Sequence, residues 1–165
     1  VQGARDILFG IFNSISVHFS EIFKTLFPGG KGSLSFTDKT NILDTGIEIS
    51  VQPRGKRIKK LSLLSGGERS LAAIAFLFSI FKSFPSPFYI LDEVEAALDD
   101  ANLHRMINLL DKIKEDAQYI IDTHQQQTMH AGDVLYGVTM EPGSGSRVFT
   151  KTKEDFESLI GTNEK

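Results

Sequence analysis

The sequence has 165 residues, 41% of them apolar and thirteen of them Phe, which is enough for one domain with a sizeable core. The 18 basic and 21 acidic residues leave a formal charge of −3, so nothing global points to a nucleic-acid binder, and the absence of Cys excludes disulfides and thiolate metal sites. No apolar run approaches the ~18 residues of a transmembrane helix and there is no secretory signal, so the expectation is a cytoplasmic domain with no membrane contact.

The chain opens on Val1-Gln2-Gly3-Ala4, without Met, and reads as a piece of something longer. From about Gly3 to Phe27, Leu8, Ile11, Phe12, Ile15, Phe19, Ile22, Phe23 and Leu26 recur in steps of three and four, which predicts one helix with a broad apolar stripe. Phe27-Pro28-Gly29-Gly30 ends it. Leu34–Phe36 and Ile47–Val51 alternate as strands. The second runs through Pro53-Arg54-Gly55-Lys56 into Arg57–Leu61 as a hairpin.

At Ser65 the pattern changes to an apolar helix reaching Ser83, stopped by Pro85 and Pro87. Phe88–Leu91 is a continuous apolar run, the pattern of a strand buried on both faces. A helix over about 101–114, a strand at 118–121, a short helix at 125–131 and a strand at 134–140 follow. After the turn Pro142–Ser146 come a strand at 147–151, a helix at 153–159 and a frayed tail at 161–165. Strands alternating with helices predict an α/β fold with a mostly parallel sheet flanked by helices.

In such a sheet, ligands gather at the carboxyl ends of strands. Asp92 and Glu93 follow the first apolar strand. The first suits a magnesium-organising carboxylate of a nucleotide site and the second a general base for water; two solvated carboxylates are the plain alternative. Past the next strand stands His124, able to touch a γ-phosphate or simply to lie on the surface. Asp99 or Asp100 can cap the helix that follows Ala96-Ala97-Leu98.

The stretch Ser65-Gly66-Gly67-Glu68 fits a capping box. Two glycines there weaken the helix, by about 1 kcal/mol each, so they suggest a backbone that approaches a phosphate at a helix N-terminus. Yet no G-x-x-x-x-G-K-[ST] occurs, because Gly30-Lys31-Gly32 and Gly55-Lys56-Arg57 lack the remaining positions. The chain has a magnesium carboxylate and a second phosphate contact without the primary phosphate loop.

Leu64–Glu68, Tyr89–Glu93, Ala97-Leu98-Asp99 and Thr123-His124 resemble, in order and spacing, the signature, Walker B, D-loop and switch-histidine motifs of ABC-type ATPases. Leu26–Gly32, Ala96–Asn102 and Leu135–Met140 narrow the likeness to the C-terminal head segment of SMC proteins of prokaryotic type. The resemblance implies that residues 1–27 end a coiled coil entering the head and that 28–160 form the C-terminal lobe of an ATPase head. It implies that an N-terminal P-loop segment of the same protein completes that head. Two heads, taken to be copies of each other, then sandwich ATP and Mg²⁺. Ser65, Gly66, Gly67 and Glu68 would reach the ATP of the opposite head, with Asp92 on Mg²⁺ and Glu93 and His124 catalytic. Asp99 would lie at the head–head contact.

The resemblance further implies a kleisin subunit, bound near 147–159, action on DNA in chromosome condensation and segregation, and a nucleoid-associated location. Arg54, Lys56, Arg57, Lys59 and Lys60 form a basic patch that could meet DNA phosphates or water alone. A DNA repair ATPase head of the Rad50 or RecN kind and a non-catalytic scaffold half are the alternatives. Without its P-loop partner the chain is expected to be inactive. It departs from the family pattern at Glu95, Asp122 and Gln125–Gln127.

Overall fold

The computed structural model describes residues 2–38, 40, 44–55, 57, 59–140, 143 and 145–155. Contacts divide the chain into two compact units, residues 1–122 and 123–165.

The first unit begins with α1 (Gln2–Leu26). Its stripe is buried from Ile15 onward, and Phe19, Phe23 and Leu26 are completely enclosed. Each such Phe or Leu contributes roughly 1.5–3 kcal/mol by leaving water. The helix ends where the Phe27 N–H donates to Phe23 O and the chain turns through Gly29, whose φ of 77° favours glycine.

Next, β1 (Lys31–Phe36) and β2 (Ile47–Gln52) pair antiparallel, with Gly32 opposite Val51. Gly32 lies against α1 so closely that a Cβ would sit 2.6 Å from Phe23 Cγ and 2.9 Å from Phe19 Cε1. At the other end of β1, Phe36 stacks on Phe12 at 4.0 Å and meets Phe9 edge-on. The expected hairpin is present: β3 (Lys59–Lys60) returns along β2, with Gly55 at φ 74° in the turn.

After a 3-10 turn at Leu61–Leu63 comes α2 (Gly66–Ser83). It lies between α1 and a parallel pair of strands, β4 (Phe88–Asp92) and β5 (Gln118–Asp122). Toward α1, Phe76 meets Phe19, the His18 ring accepts or donates at 2.8 Å with Ser83 Oγ, and Lys82 pairs with Glu21 at 3.0 Å. Toward the strands, Phe81 stacks on Tyr89, which stacks on Tyr119, while Phe78 tilts against Tyr119. The crossover is α3 (Asp100–Ile113), whose Leu103, Met106, Ile107, Leu109 and Leu110 are buried.

Two expectations change here. Parallel pairing is confined to β4 and β5; the other described strands pair antiparallel within an α/β chain. And β4 is buried on one face only. Tyr89 and Leu91 face α2, whereas Phe88 is 51% and Ile90 67% exposed, beside exposed Ile120 of β5. The apolar run reads as doubly buried because both faces are apolar, but the described residues supply a covering layer for only one.

The second unit holds α4 (Gln126–Ala131) and an antiparallel ribbon of β6 (Val134–Met140) and β7 (Ser146–Thr152). Phe149 lies over Gly137, directly across the ribbon, in space a Cβ would occupy. At 153–155 a helix begins, with Asp155 accepting from Thr152 Oγ1 at 2.9 Å. Its expected continuation to 159, the frayed tail and most of the turn before β7 lie outside the described residues. No helix among the described residues is long and apolar enough to cross a membrane.

Candidate functional site

The stretch Ser65-Gly66-Gly67-Glu68 is a turn followed at once by α2. Ser65 is the N-cap: its Oγ accepts from the Glu68 N–H, and the Glu68 carboxylate accepts from the Ser65 N–H and Oγ. The capping box is therefore real, and worth about 1 kcal/mol. The two glycines have different surroundings. A Cβ on Gly66 would meet nothing within 4 Å, and this exposed residue opens the positive end of an 18-residue helix. A Cβ on Gly67 would lie 3.0 Å from Asn102 Nδ2 and 3.5 Å from Asp99 Oδ2. One glycine leaves room for an incoming anion; the other lets α3 come close. The approach to the turn is held by Arg69, whose guanidinium donates to the carbonyls of Ser62 and Leu64.

Asp99 caps α3. Its Oδ1 accepts from the Asn102 N–H at 2.8 Å and its Oδ2 from Asn102 Nδ2 at 3.2 Å. Arg105 in turn donates to Asn102 Oδ1 at 3.2 Å. Of the two capping candidates, Asp99 takes the role and Asp100 opens the first turn. Arg105 escapes a motif reading, and Asn102 enters one only as the last residue of Ala96–Asn102, with no sign in the chain that Gly67 lies alongside.

Asp92 ends β4 with its carboxylate exposed, in register with Asp122 at the end of β5. Paired strand ends thus bring together two carboxylates of which sequence order shows only one as part of a motif. Glu93, one residue on, has φ 44°. That conformation costs a non-glycine residue roughly 1–2 kcal/mol and recurs at functional turns. It is held by its N–H donating to Asp122 O and its carbonyl accepting from the Ala96 N–H. Glu95 is buried two residues later. Hard oxygen ligands of this kind suit Mg²⁺, which commonly takes one or two carboxylates and completes its shell with phosphates and water. Among the described residues no cluster of three or more His, Cys, Asp or Glu could hold a metal without such help.

His124 belongs to the second unit, exposed just before α4, with Gln125 Nε2 3.5 Å from its Nε2 and the Gln125 N–H donating to Thr123 Oγ1. In the basic hairpin, Lys60 is paired with Glu48 at 2.6 Å, and the Arg54 stem lies against Gly29. Arg57 and the half-buried Lys59 complete the described part, and Lys56 lies outside it.

Comparison with known proteins gives a family. A model described as the RecF/RecN/SMC N terminal domain matches residues 14–147. That description names an N-terminal domain, which departs from the C-terminal head segment that the motifs resemble. A chromosome partition protein Smc from Mycolicibacterium paratuberculosis is 55% identical over 130 residues, 79% of this chain and 11% of that protein. The chain thus spans a small part of such relatives.

Among solved structures, a chain described under ATP-driven dimerization and DNA stimulated activation of SMC ATPases superposes with TM-score 0.83 at 36% identity, over 97% of both chains. An Smc head domain from Pyrococcus furiosus, bound to the C-terminal domain of ScpA, matches with TM-score 0.76 at 38% identity, over 93% of this chain and 38% of that one. On the family match and these superpositions, the chain belongs to the SMC family and is a region of an SMC head.

Proposed function

We propose that this chain is the C-terminal half of an SMC ATPase head, which binds and hydrolyses ATP only when joined to the P-loop half of its parent and engaged with a second head. The observation that carries the reading is the signature turn. Ser65 and Gly66 are exposed at the start of α2, while the chain has a strand-end Asp92-Glu93 and no P-loop motif. A phosphate contact with no primary phosphate loop is best used in trans. The open apolar face of β4 and β5 supports a missing partner lobe as well, since a soluble domain seldom leaves such a strand uncovered.

In this reading Asp92 would hold Mg²⁺, and the ion would supply charge neutralisation for the nucleotide phosphates. Glu93 accepts a proton from, and orients, the attacking water. Ser65 and Gly66 donate to the γ-phosphate of the opposite head's ATP, and His124 adds a further donor. Asp99 stands at the head–head contact. The second head is a copy of this one, a kleisin subunit of the ScpA kind binds the region around 147–159, and the assembly acts on DNA in the nucleoid.

The test is to co-express this chain with the P-loop segment of its parent, with Glu93→Gln to slow hydrolysis, and to measure mass by light scattering. Mg-ATP should double the mass, and adding Ser65→Arg should abolish the doubling. A mass that never responds to ATP would leave Ser65 as a cap and the chain as a scaffold half. Hydrolysis by the purified 165-residue chain alone would contradict the reading from the other side.

A further inference from the structure

We propose that Asn102 is a positioning residue that holds the signature turn and the D-loop of one head in a fixed mutual geometry, so that both reach the opposite head together. The inference rests on the trans-signature reading above and adds a residue to it. Its basis is a short chain of contacts. Asn102 is only 7% exposed. Its Nδ2 lies where a Gly67 Cβ would be 3.0 Å away, so the signature backbone packs directly on the amide. The same Nδ2 donates to Asp99 Oδ2, the Asn102 N–H donates to Asp99 Oδ1, and Oδ1 accepts from Arg105.

An amide suits this place for a definite reason. It must donate toward a carboxylate on one side and accept from a guanidinium on the other, and the primary amide of Asn carries both functions on one short planar group that is uncharged at every pH. A carboxylate at 102 would repel Asp99, and an apolar side chain would leave the Asp99 Oδ2 lone pair and the Arg105 N–H to water. Arg105 orients the amide, so its charge fixes which way Asn102 faces. The arrangement also gives Gly67 a role apart from Gly66. Gly66 leaves space for a ligand, whereas Gly67 brings α3 near enough for Asn102 to read the turn. A shift of the signature turn is thereby transmitted to Asp99 through one side chain.

The test uses the assembled head (this chain with the P-loop segment) carrying Glu93→Gln. Asn102→Leu keeps the branched outline of the side chain and removes its two side-chain hydrogen bonds, leaving the backbone N–H to Asp99 in place. It should weaken ATP-driven dimerisation by about tenfold or more, the scale of a lost hydrogen bond to a charged group. Binding of a fluorescent ATP analogue to the single head, and the melting temperature of the nucleotide-free head, should not change. Arg105→Ala, which leaves Gly67, Asp99 and Asn102 in place, should shift dimerisation the same way and decides the matter if Asn102→Leu does not fold. Dimerisation of either folded variant as tight as the parent's would overturn the proposal. So would a loss of nucleotide binding and melting temperature in parallel with dimerisation, which marks a merely structural residue. Ser65→Arg in the same series separates the two readings. If it too leaves ATP-driven dimerisation intact, the trans contact itself fails; if it alone abolishes dimerisation, only the Asn102 coupling fails.

Discussion

Ser65 has two roles that a pair of substitutions can pull apart. As N-cap it accepts from the Glu68 N–H at 3.4 Å and belongs to a reciprocal box with the Glu68 carboxylate. Ser65→Ala removes that acceptor, at about 1 kcal/mol. For a head of this size that lowers the melting temperature by about 2–4 °C. Ser65→Asp keeps an acceptor at the cap, and a carboxylate at a helix N-terminus interacts favourably with the helix dipole. The nearby Glu68 carboxylate offsets part of that gain, but between exposed groups the repulsion is small and screened by salt. Its stability should therefore stay near that of the parent.

Toward a γ-phosphate the same substitution is severe. A carboxylate about 4 Å from one phosphate charge, at the effective dielectric of a protein surface, costs about 4 kcal/mol. That is close to a thousandfold in the dimerisation constant. The assay is light scattering of the assembled head against ATP concentration, alongside thermal melting of the same samples. Ser65→Ala should lose melting temperature and weaken dimerisation by about tenfold, the scale of one lost hydrogen bond to a charged group, while Ser65→Asp should keep its melting temperature and lose dimerisation by about a thousandfold. If Ser65→Asp dimerises with ATP as tightly as the parent, no phosphate approaches Oγ, and the trans reading of the signature is wrong.

Other outcomes follow from the packing and charges. Gly32→Ala forces a methyl into the ring of Phe23, so overpacking by about 1–3 kcal/mol should lower the melting temperature by about 2–12 °C, and an unchanged value would refute the tight β1–α1 packing. Burial against its neighbours, with Tyr89 next in effect, pushes the Tyr119 hydroxyl up to about 12 from 10.0. The neutral folded form is thus favoured; its contribution is complete below pH 10 and fades as pH rises toward 12, so an ultraviolet titration should lose its latest tyrosine step in Tyr119→Phe. The hydrogen bond and charge of Lys82 hold the Glu21 carboxyl below 4.5, so this link should act above that pH and weaken on acidification, an acid sensitivity that Glu21→Gln removes. Replacing Arg54, Arg57 and Lys59 by Gln should flatten the salt dependence of DNA binding, its slope falling by about one for each DNA phosphate that is no longer neutralised. Lys60→Gln should do little, because Glu48 already neutralises that lysine. Equal slopes for the two sets would remove the hairpin from the DNA surface.

The element order was legible in the chain because each signal is local. Steps of three and four mark α1, alternation marks β1 and β2, and the Pro-Arg-Gly turn marks the hairpin; a capping box opens α2. These depend on backbone geometry and on neighbours within one or two turns, so sequence suffices. The motif order also lies in the chain, because each motif is a short run at a strand end or helix start.

What required the tertiary structure is everything set by residues far apart. That Gly66 is open while Gly67 is pressed against Asn102 depends on α3, more than thirty positions away, packing beside the start of α2. Asp122 gains meaning only because parallel register sets it beside Asp92, and Glu93 takes its left-handed turn because the Asp122 carbonyl accepts its N–H. Which face of β4 is covered likewise follows from where α2 lies. Apolarity tells that a surface must leave water, but the identity of what covers it is a property of the assembled layers.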